Sequence, residues 1–265
     1  LIEGDRLHFH SISSSSNPLL KDLRRSILRG SLTERGLCVA ESFHLLREAL
    51  RSERRVDAVI ASESARRSIE EHFAGENLNI ALVPDQLFKT IATTETSQGL
   101  IALVEPPVWT IDDLFTTRSL IVVLDGIQDP GNAGTIVRTA EAFAATGVMF
   151  LKGSVSPFNS KTQRAAAGSL FRVPFTSALD PAIARAALQQ NRLQIFAGMP
   201  HTGNGERPKL QRPCALVIGN EGRGVSAEFH TLAEPVSIPT AGVESLNASI
   251  AAAILLYEAY RDESV

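Results

Sequence analysis

From residue 119 onward, short, largely apolar runs recur at 120–124, 148–151, 194–197, 215–218 and 235–238, separated by stretches with helical spacing. Runs this short and continuous suit strands buried on both faces. Their alternation with helices predicts a parallel sheet covered on both sides. The last helix, around Ala251, Ala252, Ala253, Ile254, Leu255, Leu256 and Tyr257, is apolar nearly all round. It must be covered, either by the sheet or by a second subunit.

The first hundred residues carry a different, shorter pattern. Leu19, Leu20, Leu23, Ile27 and Leu28 repeat at helical spacing behind Asn17-Pro18. Residues 37–40, 57–61, 79–83 and 99–104 read as strands, and 41–50 and 64–73 as helices. Pro84-Asp85 opens another helix with proline at its first position. Pro106-Pro107 and the polar stretch to Arg118 then read as a linker, because two prolines resist helix continuation. The expected organisation is a smaller α/β domain over 1–105, a linker over 106–118 and a larger one over 119–265.

Composition adds exclusions. With 44% hydrophobic and 21% charged residues, this is an ordinary globular chain. No apolar stretch approaches the roughly 20 residues needed to span a bilayer, and Leu1–Asp5 shows no secretory pattern. Cys38 and Cys214 stand far apart without a CxxC partner, which fits a reducing cytoplasm and excludes a disulfide framework. His8 and His10 have no third ligand in sight, so no metal site is expected.

The net charge of −3 hides an asymmetry. Between Leu20 and Arg55 there are nine basic residues (Lys21, Arg24, Arg25, Arg29, Arg35, Arg47, Arg51, Arg54, Arg55) against five acidic ones, a local +4 that leaves −7 elsewhere. Such a stretch is either a face that tracks phosphates or a solvated helix surface of mixed charge.

The chemistry concentrates in three segments, each an apolar run feeding a turn rich in Gly, Pro or Asn. Asp129-Pro130-Gly131-Asn132 precedes a helix expected over about 133–145, with Asn132 as its cap. Gly134 and Arg138 share a face of that helix, so the Arg138 side chain can lie back over the first turn. The second segment is Gly219-Asn220-Glu221-Gly222-Arg223-Gly224, whose glycines permit close backbone approach. It lacks the Lys-Ser/Thr of a P-loop and is not a dinucleotide GxGxxG. The third runs from Ile238-Pro239 to Ser245-Leu246-Asn247 at the start of the last helix. No histidine lies in any of the three, so they offer no imidazole base. Ligands on parallel sheets sit beyond the carboxyl ends of the strands, where all three segments fall.

In order and spacing, Asp-Pro-Gly-Asn-x-Gly-x-Ile-x-Arg-Thr-Ala, Gly-Asn-Glu-Gly-x-Gly and Ile-Pro-x-x-x-x-x-Ser-Leu-Asn-x-Ser resemble the three motifs of the SpoU (TrmH) RNA ribose methyltransferases. The amino-terminal Ser-x-x-Asn-Pro-x-x-Lys opening is similar to the ribosomal-protein-like α/β substrate-binding domain that many of these enzymes carry. Departures are slight: Gly147 comes later than is usual after the first motif, and Thr240 stands where Met is frequent. The resemblance implies a SPOUT fold, with a parallel sheet, helices on both faces and a carboxy-terminal deep trefoil knot. It also implies a homodimer, S-adenosyl-L-methionine as cofactor, and methyl transfer to a ribose 2′-hydroxyl of RNA. Ribosomal RNA is favoured by the extra domain; tRNA and a catalytically silent assembly factor are the alternatives. Carried over by position, Gly219, Ile238 and Leu246 would contact the cofactor. Asn132, Arg138, Glu221, Ser245 and Asn247 would form the catalytic group, with Arg138 as proton acceptor or as a phosphate clamp that orients the ribose.

Overall fold

The computed structural model describes residues 7–199, 208–243 and 245–261, so Leu1–Asp5 and Glu244 of the third segment lie outside it. The chain divides into two compact units: residues 1–107 with 158–171, and 108–157 with 172–265.

In the first unit, β1 (His8–Ser11), β4 (Asn79–Val83) and β3 (Val56–Ser62) run parallel; β5 (Leu100–Val104) is antiparallel to β3 and to β2 (Cys38–Glu41). The sheet order is β1-β4-β3-β5-β2. α2 (Phe43–Arg51) and α3 (Arg66–Phe73) cover one face through Leu45, Leu46, Ile69 and Phe73. α1 (Pro18–Arg29) and α4 (Asp85–Lys89) cover the other through Leu20, Leu23 and Phe88. Burial on both faces explains the continuous apolar strands, and each such side chain contributes roughly 1.5–3 kcal/mol. The ends of α1 follow from local chemistry. The Asn17 side chain accepts the Leu19 N–H at 2.9 Å, Pro18 opens the helix, and Gly30 closes it at φ 59°. β1 lacks a hydrophobic signal because it is an exposed edge strand that carries His8 and His10.

In the second unit every strand pairing among the described residues is parallel. β11 (Glu234–Val236), β9 (Gln194–Gly198), β10 (Cys214–Gly219), β6 (Leu120–Asp125), β7 (Gly147–Leu151) and β8 (Phe175–Leu179) lie in that order. Ile121, Val123, Val217 and Ala197 pack with Ala184 and Leu188 of α7 (Pro181–Gln190) and Phe229 of α8 (Ala227–His230). α5 (Pro130–Ala142) packs on α9 (Ala248–Arg261), which lies against β10. Among the described residues, no helix is long and apolar enough to cross a membrane.

Two boundaries differ from the sequence expectation. Most of the stretch 106–118 is not a free linker. Leu114 is fully buried in the core of the second unit, seated so closely on Gly147 that a Cβ there would come within 2.4 Å of it. The segment between β7 and β8 contains α6 (Ser160–Ala166), which packs on β2 within the first unit. Arg164 donates to the buried Glu41 carboxylate at 3.1 Å, and the Ser97 hydroxyl donates to it at 2.9 Å. A buried carboxylate needs such partners to offset the loss of water.

The basic stretch is also partly absorbed by the fold. Arg25 pairs with Glu34, Arg35 with Asp57, Arg51 with Glu48 and Arg55 with Glu105. Arg24 donates to Ser15 O and Thr90 Oγ1, and Arg54 to Ser52 O. Among the described residues, the side chains of Lys21, Arg29 and Arg47 have no such partner. Burial pushes the Cys38 thiol up to about 12, which removes it as a nucleophile.

Candidate active site

Strand register alone brings the three segments together. Asp125 of β6 pairs with Gly219 of β10, so Gly126 and Asn220 leave the sheet side by side. Val217 of β10 pairs with Ala197 of β9, and Val236 of β11 with Gly198. The chain therefore delivers Gly198, Asn220 and Ser237 to one end of the sheet.

The second segment folds into a closed turn. Asn220 and Gly224 exchange backbone hydrogen bonds at 3.0 and 2.9 Å, with Gly224 at φ 69°. Closure leaves no room for a side chain at Gly219, where a Cβ would lie 2.4 Å from the Gly224 carbonyl carbon. The Asn220 side chain stabilises the turn itself. Its Oδ1 accepts the N–H groups of Gly222 (2.9 Å) and Arg223 (3.1 Å), and its Nδ2 donates to Gly126 O at 3.0 Å.

α5 begins three residues earlier than expected. Asp129, not Asn132, caps it, by accepting the Asn132 N–H at 2.7 Å, with Pro130 in the first turn. That correction frees the Asn132 side chain for another task. Asn132 Nδ2 donates to Glu221 Oε1 at 2.6 Å, and Asn132 Oδ1 accepts from Asn247 Nδ2 at 3.1 Å. The result is a relay, Asn247 to Asn132 to Glu221, with one member from each segment. Asn247 also caps α9, its Oδ1 accepting the Ser249 N–H at 2.9 Å and the Ser249 hydroxyl at 2.7 Å.

Beside the relay lies a cavity of ≈ 590 Å³ between the second and third segments. Gly219, Glu221, Ile238, Ser245 and Leu246 all line it. Glu221 thus belongs to both cavity and relay. Arg138 stands apart: it is exposed on α5, and none of the contacts among the described residues ties it to the other candidates. The three segments do not contain all of the lining. Gly198 ends β9 and Met199 follows it, Ala251 and Leu255 present one face of α9, and His230 approaches from the end of α8. The first pair was findable, because β9 neighbours β10 and ligands lie beyond strand ends. His230 carried no signal, since its helix lies outside the three segments.

Residues 119–257 match the SpoU rRNA Methylase family. The chain belongs to that family. Residues 17–102 match the MRM3-like substrate binding domain. A curated relative, the 23S rRNA (guanosine(2553)-2′-O)-methyltransferase RlmP of Bacillus subtilis, is 29% identical over 93% of this chain and 97% of its own. A crystal structure of an RNA 2′-O ribose methyltransferase superposes with TM-score 0.80 at 27% identity, over 97% of this chain and all of the other. The AdoMet-bound rRNA methyltransferase from Sinorhizobium meliloti gives 0.80 at 25% identity, covering 97% and 99%. A SpoU methylase has to hold a methyl donor, and the cavity suits one. Its volume lies in the range of about 300–1,000 Å³ usual for small-ligand sites. Its walls combine apolar Met199, Ile238, Leu246 and Leu255 with the open backbone of a glycine turn.

Proposed function

We propose that this protein transfers a methyl group from S-adenosyl-L-methionine to a ribose 2′-hydroxyl of 23S ribosomal RNA. The observation that carries this reading is the Asn247–Asn132–Glu221 relay at the rim of the glycine-turn cavity. Three segments far apart in the chain have no packing reason to exchange amide hydrogen bonds there. The likeness to RlmP, named for a guanosine of 23S rRNA, supports the choice of substrate.

When bound, the cofactor supplies an electrophilic methyl on a sulfonium. Gly219, Ile238 and Leu246, which line the cavity, would hold it, chiefly through backbone atoms and apolar contact. Asn132 and Glu221 form a polar rim that orients the ribose, with Asn247 fixing the Asn132 amide and Ser245 lining the cavity. Arg138, free of partners among the described residues, meets the RNA phosphate next to the target ribose. It either takes up the leaving proton or fixes the hydroxyl in line with the methyl. The planar, two-pronged guanidinium favours the clamp.

Residues 1–105 act as the RNA substrate-binding domain and 119–265 as the methyltransferase domain. The return of the chain from β11 at the sheet edge, past the ends of β9 and β10, to α9 against α5 supports a trefoil knot. The aromatic group of Phe143, Tyr257 and Tyr260, with Ile250, Tyr257 and Tyr260 52%, 50% and 42% exposed, supports a homodimer through α5 and α9. A cytoplasmic location suits an enzyme that acts on ribosomal RNA.

The direct test is transfer of labelled methyl from S-adenosyl-L-methionine to fractionated RNA, followed by mapping of the 2′-O-methyl site. Label is expected in 23S rRNA. Labelled tRNA alone would reassign the substrate, and no label in any RNA would leave an assembly factor.

A second expectation concerns the amino-terminal domain. Lys21 and Arg29 lie two turns apart on one face of α1, exposed and unpaired among the described residues. Replacing both by alanine is expected to weaken RNA binding. For each phosphate no longer neutralised, the log–log salt dependence should flatten by about 0.7–0.9. The same double change at Arg54 and Arg55 should leave most of that slope in place.

A further inference from the structure

Asp125 is a buried carboxylate, 6% exposed, at the last position of β6, and none of the roles above employs it. Its register partner across the sheet is Gly219, which opens the glycine turn. Its Oδ2 accepts the backbone N–H of Ser226 at 2.6 Å, a short, charge-assisted hydrogen bond. Ser226 follows the turn directly, two residues beyond Gly224.

The other end of the turn is held to the same strand in the opposite sense. There a turn side chain, Asn220, donates to a carbonyl after β6, that of Gly126. Gly126 is braced in turn: its N–H donates to Ser154 Oγ at 2.9 Å, and the Ser154 hydroxyl donates to Leu124 O at 2.8 Å. The stretch 220–226 is therefore latched at both ends to the exit of β6. Glu221, the one residue shared by relay and cavity, sits between the latches.

We propose that Asp125 is a positioning residue for the methyl-transfer site, acting through the Ser226 N–H to hold the glycine turn closed beneath the cofactor. This role rests on the methyltransferase reading. Without the carboxylate, the Ser226 N–H loses its acceptor in a partly buried setting, and the turn gains a reason to open toward water. Opening moves the Gly219–Gly224 wall and carries Glu221 away from Asn132. Asp125 itself touches neither substrate nor cofactor.

The test uses three variants of the full chain. Asp125→Ala removes the acceptor. Asp125→Asn keeps an oxygen that can accept the same N–H. Ser226→Pro removes the N–H donor along with a hydroxyl that makes no hydrogen bond among the described residues, and the Ser226 φ of −66° already suits proline. Calorimetry reads S-adenosyl-L-methionine affinity without RNA, amide exchange reads the Ser226 N–H in the two Asp125 variants, and steady-state kinetics separate kcat from the RNA KM.

The expected result is at least tenfold weaker cofactor binding and lower kcat for Asp125→Ala and Ser226→Pro, with the RNA KM within about threefold of the parent. The Ser226 amide should exchange faster in Asp125→Ala, and Asp125→Asn should recover most of the affinity. Parental affinity in folded Ser226→Pro, or Asp125→Asn as impaired as Asp125→Ala, would overturn the proposal. If Asp125→Ala does not fold, the other two variants decide it. A parent protein that neither binds the cofactor nor methylates RNA would instead refute the underlying function, a distinguishable outcome.

Discussion

Arg138→Ala is expected to lower methyl transfer by roughly 10²–10⁴-fold, the range for removal of a group acting on a proton or charge in the transition state. The folded state should hardly notice. Arg138 is exposed on α5 and makes no hydrogen bond or ion pair with the described residues, so its removal leaves no buried group unsatisfied. S-adenosyl-L-methionine affinity should stay close to that of the parent, because the cavity is lined without Arg138. Arg138→Lys divides the two roles left open above. A clamp that needs a planar two-pronged donor loses much of its effect with lysine, whereas a proton acceptor near a phosphate tolerates an amine of lower pKa better. Single-turnover rates and calorimetric cofactor affinities, measured on the same preparations, check both points. A parallel loss of cofactor affinity in Arg138→Ala would place this residue in the wrong group.

Gly219→Ala should be the most damaging single methyl in the second unit. The added carbon would lie 2.4 Å from Gly224 C and 2.5 Å from Val225 N, both backbone atoms that no rotamer change can move aside. The turn must open, at a cost of about 1–3 kcal/mol. Cofactor affinity should fall at least tenfold, about 1.4 kcal/mol, together with the melting temperature. Gly222→Ala is the matched control. Its Cβ would meet only the Asn220 side chain, at 3.6 Å, an ordinary contact. Calorimetry and thermal melts on the pair test the geometry, and similar losses from both glycines would refute it.

Much of this architecture was legible in the residues, for reasons that differ by element. Strands buried on both faces, such as β4 and β6, announce themselves as continuous apolar runs because a polar side chain is costly on either side except at a strand end. β1 and β8 were silent. One is an exposed edge, and the other has exposed positions at its centre, so neither carries that constraint. The start of α5 was misplaced because Asp129 and Asn132 are both good capping residues, and only backbone geometry decides between them. Leu114 looked like part of a polar linker because Ile111, Leu114 and Phe115 are too few to establish a period, yet Leu114 fills the space left by Gly147.

The candidate site was more legible than the fold boundaries. The three segments hold polar groups at turns that need no side chain for connection, and seven of the eight residues singled out there converge on one cavity and its rim. The basic stretch shows the opposite limit. A count of charges cannot tell which arginines already have partners, and Arg25, Arg35, Arg51 and Arg55 all do. His230 was invisible for a third reason: proximity in space left no trace in local pattern.

The relay spans long loops of chain, with 115 residues separating Asn247 from Asn132 and 89 separating Glu221 from Asn132. No partly folded fragment can assemble it, so whatever fills the adjoining cavity binds only the complete second unit. Occupancy and folding are then one coupled equilibrium. A ligand at about a hundred times its dissociation constant adds about 2.7 kcal/mol to the native state. The supply of methyl donor thereby bears on the stability of the enzyme as well as on its rate.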